Sequence, residues 1–321
     1  MARVGTWTRS LFRDNQWALI LLVTAIIAIG TGMMNDRFWS PDNLSNLFQQ
    51  ITVLGLVAVG ATILIVSGNF DISVDAYVGL AVCIMPMLIN AGVPIPFAVI
   101  AGILVCVLAS TFNGVASILF KAPSFIVSVA TLGVFGGIAL LLTGGVIQNA
   151  FGEFNTLTGA TIGGVLPVIF VITLIGFALV HVMLTWTKVG RRVFAIGNNE
   201  EVAFRVGVPV VRSKIIFFAI NGLLVGVAAW LLLARIGGGL PSSGTGLAIQ
   251  AIGAVVIGGA PITGGRGSVI GTFFGVLLLG TIANSLNILN VSPYIQAIAQ
   301  GSLILLAIAI SALRVRLGGR Q

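Results

Sequence analysis

Two stretches of this 321-residue sequence gather side chains able to do chemistry, and long apolar runs flank both. The first is Ser67-Gly68-Asn69-Phe70-Asp71-Ile72-Ser73-Val74-Asp75, where two carboxylates stand four residues apart with no basic neighbour. On a helix Asp71 and Asp75 would share a face. They either cap and complement the N-terminus of the helix that follows or belong to a re-entrant element at the inner end of a pathway. The second stretch, residues 187–214, is the only strongly charged segment. In it Gly197, Asn198, Asn199, Glu200, Glu201, Val202, Phe204 and Arg205 predict a helix of about two turns, with Asn198 or Asn199 as cap and the glutamates at its positive end. Gly207 and Pro209 stop it. Val202, Phe204 and Val206 among these charges suit a partner surface better than water.

Elsewhere the polar side chains inside apolar runs are uncharged: Asn113, Ser128, Thr131, His181, Asn221, Gln250, Asn284, Asn287, Gln296 and Gln300. Such groups bond helices together as readily as they line a route. The lone histidine, His181, has no second ligand at metal-binding spacing. No phosphate-binding G-x-x-x-x-G-K-[ST] loop, G-x-S-x-G elbow or H-E-x-x-H pair occurs, so the chain itself is expected to bind no nucleotide, metal or other cofactor and to be no enzyme. An ion-coupled carrier is disfavoured by the lack of ionisable residues deep in the spans.

The elements that position these residues are transmembrane helices. Apolar residues make up 58% of the chain and charged ones 7%, against roughly 25% charged in a soluble domain. Ten spans are predicted: Trp17–Met34, Leu47–Val66, Ala76–Asn90, Phe97–Phe120, Phe125–Leu142, Val165–Trp186, Ile215–Ala234, Leu247–Ala260, Ser268–Leu289 and Tyr294–Leu313. The third and eighth are short for a crossing, so a broken or tilted helix is expected at each. Arg3, Arg9 and Arg13 precede an uncleaved first span, since no small-residue cleavage site follows it. The domain plan is thus a cytoplasmic arm (1–16), an all-α transmembrane body (17–313) and a cytoplasmic tail (314–321).

With ten spans and both termini inside, the internal loops and ends hold fourteen basic residues, and only Arg37 and Arg235 fall outside. The net charge of +8 therefore reports membrane orientation, with no basic stripe for nucleic acid. Trp17, Phe38, Trp39 and Trp186 mark span ends at headgroup level. Cys83 and Cys106 lie inside spans as small hydrophobes. The tetrads Gly133/Gly137, Gly222/Gly226 and Gly271/Gly275 let helix backbones approach. Two four- to six-residue internal matches, 58–61 with 251–254 and 141–145 with 233–238, have discordant offsets and establish no repeat.

Ser67-Gly68 with Asp71 to Val74, then Ala130-Thr131-Leu132-Gly133, Ala195 to Glu200, Ala251 to Val256 and Gly264-Gly265-Arg266-Gly267-Ser268 resemble, in order and spacing, the permease subunits of ribose-type sugar ABC importers. The family pattern has glycine where this chain has Asn69 and Asp75. The resemblance implies a cobalamin-importer-like fold in the bacterial inner membrane and two permeases, alike or different, forming the pathway. It also implies cytoplasmic ATPase subunits using ATP and magnesium, and a periplasmic sugar-binding protein. It makes the charged loop helix the coupling helix. The expected pathway residues are Ser67, Asn69, Asp71, Ser73 and Asp75 at the inner mouth, with Asn113, Ser128 and Asn221 deeper.

Overall fold

The computed structural model describes residues 16–318, so the expectations placed on Arg3, Arg9, Arg13 and Arg320 lie outside it. Helices α1 (Gln16–Met34), α2 (Pro41–Val66), α3 (Val74–Asn90), α4 (Ile95–Leu119) and α5 (Ser124–Thr143) form the first half, with a 3-10 turn at Asp36–Trp39. After a strand at Gln148–Asn149 (β1), a short helix α6 (Asn155–Gly159) and a two-strand clip of Thr161–Ile162 (β2) with Leu166–Pro167 (β3), α7 runs over Val168–Trp186. The loop helices α8 (Lys188–Asn198) and α9 (Glu200–Arg205) precede α10 (Val210–Ile236). Strand β4 (Gly238–Gly239) pairs antiparallel with β1, and α11 (Leu247–Ile257), α12 (Val269–Ile288) and α13 (Pro293–Gly318) complete the chain.

Every expected span is a helix. Among the described residues seven helices are long and apolar enough to cross a membrane, while α3, α11 and the stretch Pro293–Leu306 of α13 are shorter apolar helices. Helix α2 begins earlier than expected, because Ser40 caps it by accepting the Asn43 N–H and Pro41 sits in its first turn. Phe38, in the turn between α1 and α2, is buried and packs edge-on against the exposed Trp39.

Lipid tails are as apolar as leucine, so helices here associate by close packing rather than by escape from water. Small residues show where. Helix α2 is the centre, 83% of its most apolar window being buried against 22% for α1 and 17% for α5. A Cβ on Gly222 or Gly226 of α10 would meet the α4 backbone at 2.6 to 2.8 Å, and one on Gly271 or Gly275 of α12 would meet α11 carbonyls at 2.0 to 2.1 Å. The tetrad at Gly133 and Gly137 meets nothing within 4 Å, so that face of α5 is open.

An inverted repeat organises the core. Helix α2 ends on Ser67 with Gly68 left-handed (φ +78°), and an extended segment leads to the short helix α3, then α4 and α5. Helix α10 ends on left-handed Gly237 (φ +71°), and residues 238–246 lead to the short helix α11, then α12 and α13. Packing follows the same rule in both copies. Helix α3 rests on α4 and α5 as α11 rests on α12 and α13, and α2 packs on α11 and α12 as α10 packs on α3 and α4. The two copies run in opposite senses. At one end the Gly265 N–H donates to the Val66 carbonyl (2.8 Å), Ser124 Oγ accepts the Phe70 N–H (3.0 Å), and Gly197 lies against both Val66 and Gly265. At the other end Asn90 donates to the Asn149 carbonyl and Ala150 to the Gly237 carbonyl. The short sequence matches miss this symmetry, since 58–61 lies in α2 and 251–254 in α11, which are not equivalent.

Candidate functional site

The extended segment after α2 is pinned by one carboxylate. Asp71 Oδ1 accepts from Ser73 N (3.1 Å), Ser73 Oγ (2.7 Å) and Asn113 Nδ2 (3.0 Å), and Oδ2 accepts from Tyr77 OH (3.3 Å) and Ser110 Oγ (3.2 Å). The network closes on itself. Asn221 donates to Tyr77 OH (3.3 Å) and Ser110 Oγ (3.0 Å), Asn113 also donates to Ser73 Oγ (2.6 Å), and Thr131 donates to Asn113 Oδ1 (2.7 Å). A buried carboxylate is costly unless paired or bonded; no cation approaches this one among the described residues, and five donors take that place.

Local sequence explains why the chain turns here rather than continuing as helix. The Asp71 side chain takes the Ser73 N–H in a turn of its own. Asp71 and Asp75 therefore do not share a helix face, because helix begins only at Val74. Ser110 and Asn113 stand one turn apart on α4, and the close approach at Gly222 brings Asn221 of α10 beside them. Tyr77, Ser110 and Thr131 are members of the network absent from the predicted site, Thr131 having been noted only among the polar residues of the spans; the one-turn spacing of Ser110 and Asn113 was the available signal for Ser110.

Asp75 does something the sequence did not suggest. It lies in the first turn of α3, yet its oxygens accept from Gly246 N (2.7 Å) and Ala248 N (2.7 Å), so it caps α11 of the other repeat copy. Both segments approach closely: a Cβ on Gly79 would meet the Pro241 carbonyl at 2.0 Å, and one on Gly244 the Asp75 carbonyl at 2.2 Å. The two short helices thus meet N-terminus to N-terminus at Asp75.

Of the other expected pathway residues, Ser67 and Asn69 bond each other in the turn after α2, and Ser128 donates only to the Phe125 carbonyl of its own helix. Ser67, Asn69, Asp71, Ser73, Asn113, Ser128 and Asn221 are buried, and Asp75 is half-buried. A cavity of about 10 Å³, room for roughly one water, lies between Ala61, Leu64, Phe70, Asp71, Asn221 and Ala248.

The charged loop differs from the single two-turn helix expected. Gly197 and Asn198 end a three-turn helix, α8, which Thr187 caps and which buries Gly190, Val193 and Ile196. A Cβ at Gly197 would meet the Val66 carbonyl at 1.8 Å, so this helix is clamped to the repeat. Asn199 starts α9, accepting the Val202 N–H at 3.0 Å, with Glu200 and Glu201 in the first turn. It stops in a Schellman motif, Val208 N to Ala203 O and Gly207 N to Phe204 O, both 3.0 Å. The break arises because Asn199 serves as C-cap of one helix and N-cap of the next. Glu200 pairs with Lys214 of α10 (2.7 Å) and Glu201 with Arg205. Val202, Phe204 and Val206 stand 53%, 70% and 73% exposed.

Seven membrane-length helices and an inverted repeat, each copy holding a short helix behind a non-helical segment, mark a multi-pass membrane protein of the architecture many transporters use. The chain belongs to the family described as "Branched-chain amino acid transport system / permease component", which matches residues 43–308. It is 34% identical over 290 residues to the ribose import permease protein RbsC of Bacillus subtilis, covering 89% of each chain. It is 32% identical to RbsC of Escherichia coli K12, over 92% of each chain. The L-arabinose transport system permease protein AraH of E. coli K12 is 32% identical over 90% of this chain and 88% of its own length. No solved structure matches the chain.

Proposed function

We propose that this chain is the permease subunit of an ABC importer that brings a monosaccharide or related neutral polyhydroxylated solute across the bacterial inner membrane. The observation that carries this reading is the similarity, over about nine-tenths of both chains, to permeases named for ribose and L-arabinose. The chain itself is not an enzyme. ATP and magnesium act in cytoplasmic ATPase subunits, a periplasmic binding protein delivers the sugar, and a second permease completes the pathway. The chain crosses the membrane ten times in a cobalamin-importer-like arrangement with both termini cytoplasmic, the short helix α11 completing its crossing together with residues 238–246.

In this reading α8 and α9 form the coupling element. The exposed Val202, Phe204 and Val206 dock on the ATPase, while Gly197 and the Glu200–Lys214 pair pass its movement to α2 and α10. The Asp71 network holds Ser67 to Asp75 in shape at the inner part of the route, with Asn113 and Asn221 as its anchors; Ser128 stands at its edge. The test is reconstitution with the ATPase and binding protein in proteoliposomes. Ribose uptake should require ATP and persist when proton and sodium gradients are collapsed. Uptake that stops with the gradients and ignores ATP would establish an ion-coupled carrier instead.

A further inference from the structure

The connection from α10 to α11 lies at a depth where irregular backbone is not tolerated in lipid. Gly239 packs on Val82, Pro241 on Gly79 and Gly244 on Asp75, so the segment runs antiparallel along α3 and away from its outer end. Asp75 is fifteen residues from Asn90, about 22 Å along a helix, and α11 needs only about 16 Å to reach the end where Val66 meets Gly265. Together these lengths exceed a hydrocarbon core about 30 Å thick, so Ser242 to Gly246, where the two helices meet, sits inside the core and away from both of its faces. Non-helical backbone at that level must be covered by protein or face water.

One side of the segment is covered by α3. On the other, Ser242 and Thr245 are exposed, and neither hydroxyl bonds to any of the described residues. The half-buried carboxylate of Asp75 lies beside them, each oxygen using one of its lone pairs on a backbone N–H. Ile249, one turn further on, is 56% exposed and supplies an apolar wall.

We infer that Ser242, Thr245 and Asp75 face the transport route and exchange hydrogen bonds with the hydroxyls of a neutral polyhydroxylated solute inside the membrane. The inference rests on the import reading for its solute class, and on depth and exposure for its place. Hydroxyl and carboxylate oxygens replace the solute's water without a fixed positive charge, while the carboxylate disfavours anions. The C–H face of a sugar fits against Ile249. Half-helix ends meeting at a repeat interface are where transporters place such contacts.

The experiment uses the assembled importer with Ser242→Cys or Thr245→Cys, the native Cys83 and Cys106 being buried, and Ile26→Cys on lipid-facing α1 as reference. Thiols react as thiolates, which form in water and not in lipid. A charged methanethiosulfonate should modify positions 242 and 245 at least about tenfold faster than position 26, and modification should abolish uptake. Asp75→Asn should raise the KM for ribose several-fold with complex recovery unchanged. Two outcomes overturn the inference: no modification at either position with or without ATP, or an efficient disulfide between Thr245→Cys copies, which would make this face a permease–permease contact. If the wild-type importer carries no sugar, the import reading fails, while the modification rates still decide whether the segment meets water.

Discussion

Asp71 shows how a carboxylate can sit in a membrane-embedded fold without a cation. Its five donors come from the turn itself, from α3 and from α4, so the residue sets the path of the chain between α2 and α3. Asp71→Asn keeps one acceptor oxygen and turns an NH₂ group toward donors, leaving at least one buried donor unpaired at a cost of about 1–3 kcal/mol. The expected outcome is an assembled complex with impaired uptake and unchanged affinity of the binding protein for sugar. Normal uptake by Asp71→Asn would reduce the residue to a local turn former. The two aspartates, alike in sequence, differ because Asp71 meets side chains and Asp75 meets the start of another helix. Sequence exposes the carboxylates but not the partners, since Gly246 and Ala248 are 171 and 173 residues from Asp75.

At the scale of elements, the short helices α3 and α11 hold their neighbours by glycine contacts rather than by shape alone. Gly79→Ala would put a methyl group on the Pro241 carbonyl and force the 238–246 segment away from α3, an overpacking of about 1–3 kcal/mol. Reduced thermal stability of the purified complex, with insertion intact, is the measurement that checks it. An unchanged melting temperature would mean that the two segments separate easily. All ten apolar helices were legible in sequence because lipid demands continuous apolar runs, and the shortness of the third and eighth was visible as well. The segment before α3 was legible as one of two alternatives, a re-entrant element marked by Asp71 and Asp75, but the turns before α11 were not, since nothing in Gly237-Gly238-Gly239 or Ser242-Ser243-Gly244 distinguishes them from a loop outside the membrane. Helix α8 was hidden for a different reason: Lys188, Arg191 and Arg192 alternate with apolar residues in a charged loop, and only its buried face reveals a packed helix. The repeat escaped because geometry, not side-chain identity, is what its copies share.

For the whole molecule, the structure gathers Lys121, Lys188, Arg191, Arg192, Arg205, Arg212, Lys214 and Arg266 at the end where Val66 meets Gly265, with Arg37 and Arg235 opposite. That asymmetry predicts the orientation. A membrane-impermeant thiol reagent should leave Glu201→Cys unmodified in intact cells and modify it after permeabilisation; ready reaction in intact cells would invert the topology. The bond between Asp75 and α11 also sets an order on biosynthesis. The carboxylate leaves the ribosome 171 residues before the first amide it will cap, a delay of about 10–30 s at ordinary elongation rates. For that interval the first repeat copy has an open acceptor, and the site closes only when the second half of the chain arrives.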